Sequence, residues 1–281
     1  MFKLLSPLAI AGALLSLLCL GAAPAQALSK VTFVSGKGTD TGTCADPANP
    51  CRHFQFAIDQ TIAFGEVKAL DPAHYGGVII NKSTSITGVE GAGIDRVAGD
   101  AITINAGPND KINLSHLTID GLKTGNAGIS LNSGRSLTIT HCTVRNFRGS
   151  GIVLVPTGTT DFLIGDTLVS DNVEDGILIF PIGGAAIGTL DHVLANKNGT
   201  GISVGSNGKA EVMAVDSIAT NNAAVGFGSS IGGVLRLARS VATGNGTGLF
   251  IADRNVYSFG DNYIRGNGIN INGTLAVVPT D

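Results

Sequence analysis

Tryptophan is absent from this 281-residue chain, and only 14% of its residues are charged. The sparse charges form no basic block, which argues against nucleic acid as a partner. After residue 65 no segment shows helical periodicity, which argues against leucine-rich repeats, whose Leu and Asn also stand at fixed spacings. Beyond Ala27 there is no apolar run long enough to span a bilayer, so the exported chain is expected to be soluble. Glycine, by contrast, is plentiful at 40 residues, and 43% of the chain is hydrophobic with many β-branched residues. That composition disfavours long helices and disorder, and favours many short strands separated by turns.

The N-terminus reads as an export signal. Lys3 is followed by an apolar run to Ala23, and Ala25-Gln26-Ala27 supplies a small-x-small cleavage site. Removal after Ala27 leaves a chain long enough for one sizeable core or one solenoid. Its formal charge is −4, since Lys3 is lost from a chain of net charge −3. Periplasmic, extracellular or cell-surface residence in a bacterium is the expectation. Three cysteines then remain. Cys44 and Cys51 enclose a turn-rich loop and are expected to form a disulfide. A zinc site there would need more ligands than His53 alone supplies. Cys142 is expected to be a free, buried thiol.

An apolar residue preceded by glycine recurs at Gly128-Ile129, Gly151-Ile152, Gly176-Ile177, Gly201-Ile202, Gly226-Phe227, Gly248-Leu249 and Gly268-Ile269. Three successive intervals are equal, at about 25 residues, a period within the range of solenoid repeats. Each unit holds three short strands and a polar bend, too little to stand alone but enough for one turn of a coil. Ile129, Ile152, Ile177, Ile202, Phe227, Leu249 and Ile269 should form one inward stack. Leu131, Leu154, Ile179, Val204, Ile251 and Ile271 should form a second. The predicted fold is all-β, a right-handed single-stranded parallel β-helix of about eight coils. A short capping helix should start at Asn49-Pro50 and end at Gly65. The expected organisation is a signal peptide over 1–27, an N-terminal strand and capping helix over 28–65, the β-helix over 66–272, and a C-terminal tail or cap over 273–281, in which Leu275 to Val278 is expected to fold over the last coil.

The segments Cys51-Arg52-His53-Phe54-Gln55, Gly65-Glu66-Val67, Leu70-Asp71-Pro72, Tyr75-Gly76 and Val78 to Ser83 look like the start of exported bacterial β-helix proteins of the pectin-lyase-like superfamily. With the repeats, this resemblance covers about residues 31–272. It implies the fold and little chemistry. In the enzymes of that superfamily, reactive groups lie on or just before the strand that here begins Gly-Ile. Lyases hold calcium with carboxylates and use Arg or Lys as base, and polygalacturonases use several aspartates.

Along that column, Glu174-Asp175 is the one pair of acids, and Arg148 belongs to the preceding coil. Val153, Val155, Leu178 and Phe180 alternate with inward residues and should face out, as a partner surface or homo-oligomer contact, unless turns cover them. Arg148, Glu174, Asp175 and Phe180 therefore form the candidate ligand-binding cluster, because a sugar acid calls for a cation and a stacking ring. No catalytic residue is assigned.

A further column, His116, His141, Asp166, Asp191 and Asp216, repeats at the same interval as the glycines. It reads as a bend tolerant of left-handed backbone rather than as a metal ladder. Asn146, Asp171, Asn196 and Asn221 read as a turn ladder. His192 falls in an inward column with Cys142, Thr167 and Ser217, as a hydrogen-bonded interior residue. Two functions stay open. The preferred one is a non-catalytic exported solenoid that binds a glycan, an envelope component or a protein partner. The alternative is a lyase or hydrolase of an acidic polysaccharide, against which the missing Asn-Thr-Asp and Gly-His-Gly signatures weigh. No cofactor is expected, and Ca2+ enters only for a lyase.

Overall fold

A computed structural model describes residues 28–253 and 255–278. The expected signal peptide lies outside the described residues. Three parallel sheets run the length of the molecule, with 11, 8 and 9 strands. Each central coil contributes one strand to each sheet, so its strands pair with their copies one coil above and one below. The long-strand sheet includes Thr159–Gly165, Ala185–Asp191 and Lys209–Val215. The narrow sheet includes Thr143–Arg145, Leu168–Ser170 and Leu194–Asn196. The third carries the glycine repeat, as in Ile152–Leu154, Asp175–Ile179 and Thr200–Val204. The apolar column between the sheets is the core.

The inward stack runs through Ile129, Ile152, Ile177, Ile202, Phe227 and Leu249 in register. All six are at most 1% exposed. The last coil departs from expectation: Leu249 pairs with Ile271, not Ile269, and both isoleucines are exposed. The interval before Gly268 is the shortest of the series, which slips the terminal strand by two residues. In the tail, Leu275 packs against the end of the core. Ala276–Val277 continues the long-strand sheet by pairing with Val256–Ser258.

The repeated glycine has a steric cause. A Cβ at Gly176 would lie 2.6 Å from the carbonyl oxygen of Gly201 and 2.8 Å from Nδ2 of Asn198. Gly151, Gly201 and Gly226 meet the same obstruction from Asn172, Asn222 and Asn245. These asparagines form the true ladder: Asn172, Asn198, Asn222 and Asn245 are at most 3% exposed. Each carbonyl oxygen accepts the backbone N–H of the previous coil's residue, as Asn198 Oδ1 does from Asn172 and Asn222 Oδ1 from Asn198 (2.9 Å). The ladder expected at Asn146, Asp171, Asn196 and Asn221 is thus corrected. Left-handed backbone falls at Asn146, Asp171, Lys197 and Asn221, and the buried ladder lies one residue further on.

The shift of the left-handed position from Asn196 to Lys197 traces to one coil. The turn of residues 180–184 is a residue longer than its predecessor. Thr159 therefore aligns with Ala185 and Leu168 with Leu194, each a single position beyond the repeat interval. A shorter turn before Thr200 restores the spacing, and Asp175 aligns with Thr200. His192 accordingly moves off the inward column. It has left-handed backbone (φ 53°) and an exposed side chain, and Val193 (1% exposed) takes the interior place.

The capping helix is shorter than predicted, Phe54–Asp59, and buries Phe54, Ala57 and Ile58 over the end of the core. Asn49-Pro50 does not start it, because Cys51 is held in strand-like pairing with Val34 and bonded to Cys44. Asp40 from the loop accepts the N–H groups of Arg52 (2.8 Å) and His53 (3.0 Å) ahead of the helix. Nor does the helix reach Gly65: the strand Thr61–Ala69 begins almost at once and pairs with Ser29–Val34 across a bulge. No helix among the described residues is long and apolar enough to cross a membrane.

Candidate functional site

The turn joining the narrow sheet to the glycine-repeat sheet stacks polar side chains from successive coils. Arg148 N–H donates to Gly125 O (2.8 Å), Gly149 N–H to Asn126 O (2.8 Å) and Glu174 N–H to Gly149 O (3.2 Å). This backbone ladder sets Asn126, Gly149 and Glu174 one above another at strand spacing, with Arg148 beside Gly149 in the middle coil. A shallow depression of about 430 Å³ opens between them, walled on its apolar side by Val153 and Leu178. The guanidinium of Arg148 is exposed and donates to Asn126 Oδ1 (3.2 Å), and it forms no ion pair among the described residues.

Asp175 does not line this depression. Its neighbour Glu174 lies in the exposed bend just before the strand and takes the outer position. Asp175 is half-buried, and its N–H faces Ser150 Oγ (3.3 Å). Burial, then the adjacent Glu174 charge, pushes its carboxyl up to about 6 against an opposing hydrogen bond from the Thr200 side chain. Phe180 stands at the other end of the same strand, about 16 Å from Asp175 at the usual rise per residue. Its ring packs on Gly205, where a Cβ would come within 2.9 Å of it. The structure therefore brings Arg148 and Glu174 together and separates both from Phe180. Val153, Val155, Leu178 and Phe180 are all half-buried, so less apolar surface faces out than strand alternation alone implies.

Sequence reasoning missed a second depression, of about 440 Å³, on the other side of the same turn. Lys123, Asp171 and Lys197 line it, and Val173, 69% exposed, lies on its rim. Its residues carry no motif, and only the coil register brings Lys123 and Lys197 together. A larger hollow of about 580 Å³ lies in the disulfide loop, but Lys37 and Asp46 are its only titratable lining residues. The expected Cys44–Cys51 disulfide is present, with a Cα–Cα distance of 5.2 Å. Cys142 is free and buried, and burial pushes its thiol up to about 11.

No family model and no curated protein matches the chain. Among solved structures, pectate lyase Pel9A aligns with 92% of this chain and 79% of its own, at 13% identity and a TM-score of 0.58. A tailspike protein gp49 from Acinetobacter baumannii bacteriophage Fri1, a capsular polysaccharide depolymerase, aligns with 91% of this chain and 63% of its own, at 10% identity and a TM-score of 0.44. The sheet order and the first of these alignments agree, and the chain is a right-handed parallel β-helix with the pectin-lyase-like fold.

Proposed function

We propose that this protein is an exported, non-catalytic solenoid that binds a glycan along the turn edge bearing Arg148 and Glu174. The observation that carries this reading is the unpaired Arg148 guanidinium, held by Asn126 beside the apolar wall of Val153 and Leu178. Such a surface offers a fork of donors for a carboxylate or hydroxyl pair, with apolar carbon for a sugar ring. Phe180 adds a stacking face for a chain long enough to run the length of the strand.

The alternative, a polysaccharide lyase or hydrolase, draws support from Asp175, whose raised pKa suits a general acid. Glycoside hydrolysis needs two carboxyl groups flanking one bond. Here only Glu174 lines the depression, and one carboxylate is a meagre ligand set for calcium. That geometry favours binding without turnover.

A polysaccharide panel tests both readings. Arg148→Ala should weaken binding at least tenfold, and Phe180→Ala should weaken long oligosaccharides more than short ones. Unchanged affinity in Arg148→Ala would remove the site from this edge. Unsaturated sugar or new reducing ends that disappear in Glu174→Gln or Asp175→Asn would establish the enzyme instead.

A further inference from the structure

Another edge gathers chemistry that glycan binding does not use: the corner where each long strand passes into the narrow one. Successive coils place His116, His141, Asp166, His192, Asp216 and Arg239 there, all in left-handed backbone with φ between 46° and 57°. The corner before the glycine-repeat strand has the same backbone and fills it with Asn146, Asp171, Lys197, Asn221 and then Gly244 and Gly266. Asparagine or glycine satisfies left-handed backbone at either corner. Backbone geometry alone therefore does not account for five consecutive imidazoles and carboxylates.

Stacked at strand spacing, these side chains meet. The His116 and His141 rings stack with centroids 4.9 Å apart, and His141 Nε2 lies 3.8 Å from Asp166 Oδ2. The lengthened coil adds a further carboxylate, because Asp191 now ends the long strand immediately before the corner residue His192. His192 Nδ1 and Asp191 Oδ1 are 2.7 Å apart. One ring nitrogen of His192 and one carboxylate oxygen each from Asp191 and Asp216 all lie within 4.8 Å of one another.

We propose that Asp191, His192 and Asp216 bind one divalent transition-metal ion of the zinc type. One nitrogen and two carboxylate oxygens at about 2.0–2.2 Å suit zinc. Calcium and magnesium take oxygen ligands, and imidazole selects against them. Ligand atoms around a tetrahedral ion of that size stand about 3.4 Å apart, so modest rotation of partly exposed side chains closes the site. Arg239 grips both oxygens of Asp216, at 2.9 and 2.8 Å. Each carboxylate oxygen keeps a second lone pair, so guanidinium and ion share the group. Binding releases the proton from the coordinating imidazole nitrogen, and the remaining coordination positions face solvent.

The test is titration calorimetry of the purified, chelator-treated protein with zinc chloride. One equivalent should bind, and His192→Asn or Asp216→Asn should lower the affinity at least tenfold. Asparagine keeps the left-handed backbone, so both variants should retain the wild-type circular dichroism spectrum and melting temperature. Excess calcium chloride should not displace the zinc. The assignment is overturned if zinc does not bind, if His192→Asn binds it as the wild type does, if calcium displaces it, or if His141→Asn and not His192→Asn removes it.

Discussion

Asp175 shows how one residue's place in the coil sets its chemistry. The unfolded carboxyl titrates near 3.9, whereas in the folded chain burial and the charge of Glu174 raise it to about 6. The folded state therefore holds this proton more tightly. The resulting stability is fully present below about pH 4 and is lost as the pH rises through about 6. Asp175→Asn removes the titration. Its unfolding free energy in urea should match the wild type near pH 4 and exceed it above pH 6, by an amount on the order of 1 kcal/mol for a half-buried side chain. A gap that stays constant across that range would refute the assigned environment. The sequence singled out Glu174-Asp175 as a pair, but its two members differ because Glu174 sits in the exposed bend and lines the depression, while Asp175 begins the strand and is half-buried.

Within the repeat, the asparagine ladder and the glycine column are one device: the amide occupies the space that a Cβ would need. Asn198 Oδ1 accepts from both the backbone and the side chain of Asn172, and Asn198 Nδ2 donates to Val169 O (3.0 Å). Asn198→Ala strands those buried groups, and urea unfolding should show a loss of about 2–4 kcal/mol. Asn196→Ala, two residues away, should stay within about 0.5 kcal/mol, since that side chain is only half-buried and accepts one long bond from Asn221 (3.3 Å). Equal losses would return the ladder to the position the spacing first suggested. A strict period picks Asn196 and misses Asn198, because the buried column follows the coil register, whose turns vary in length, and not a constant interval.

At the scale of the molecule, a solenoid is stabilised coil by coil, so its two ends matter unequally. The N-terminal end is closed by the helix Phe54–Asp59 and by the loop that Cys44–Cys51 ties to Val34. Replacing both cysteines by serine removes a short cross-link worth about 2 kcal/mol. Hydrogen exchange should then quicken across residues 31–58 and stay unchanged in the coils after residue 129. Uniform acceleration along the chain would mean that the cap and the distant coils unfold as one unit. At the C-terminal end, Ile269, Ile271 and Val277 are exposed, because no described strand follows theirs.

The sequence by itself determined the architecture: the repeat period, the glycine column, the inward stack from Ile129 to Leu249, the disulfide and the buried Cys142. These features follow from composition and spacing, which local turns hardly disturb. Tertiary structure alone decided which neighbour in each polar run faces inward, which coils meet at a depression, and where His192 points. An extra residue in the turn of residues 180–184 and a missing one before Thr200 cancel in the glycine spacing. Between them every column slides by one, and a one-residue slip turns an interior side chain into a surface ligand.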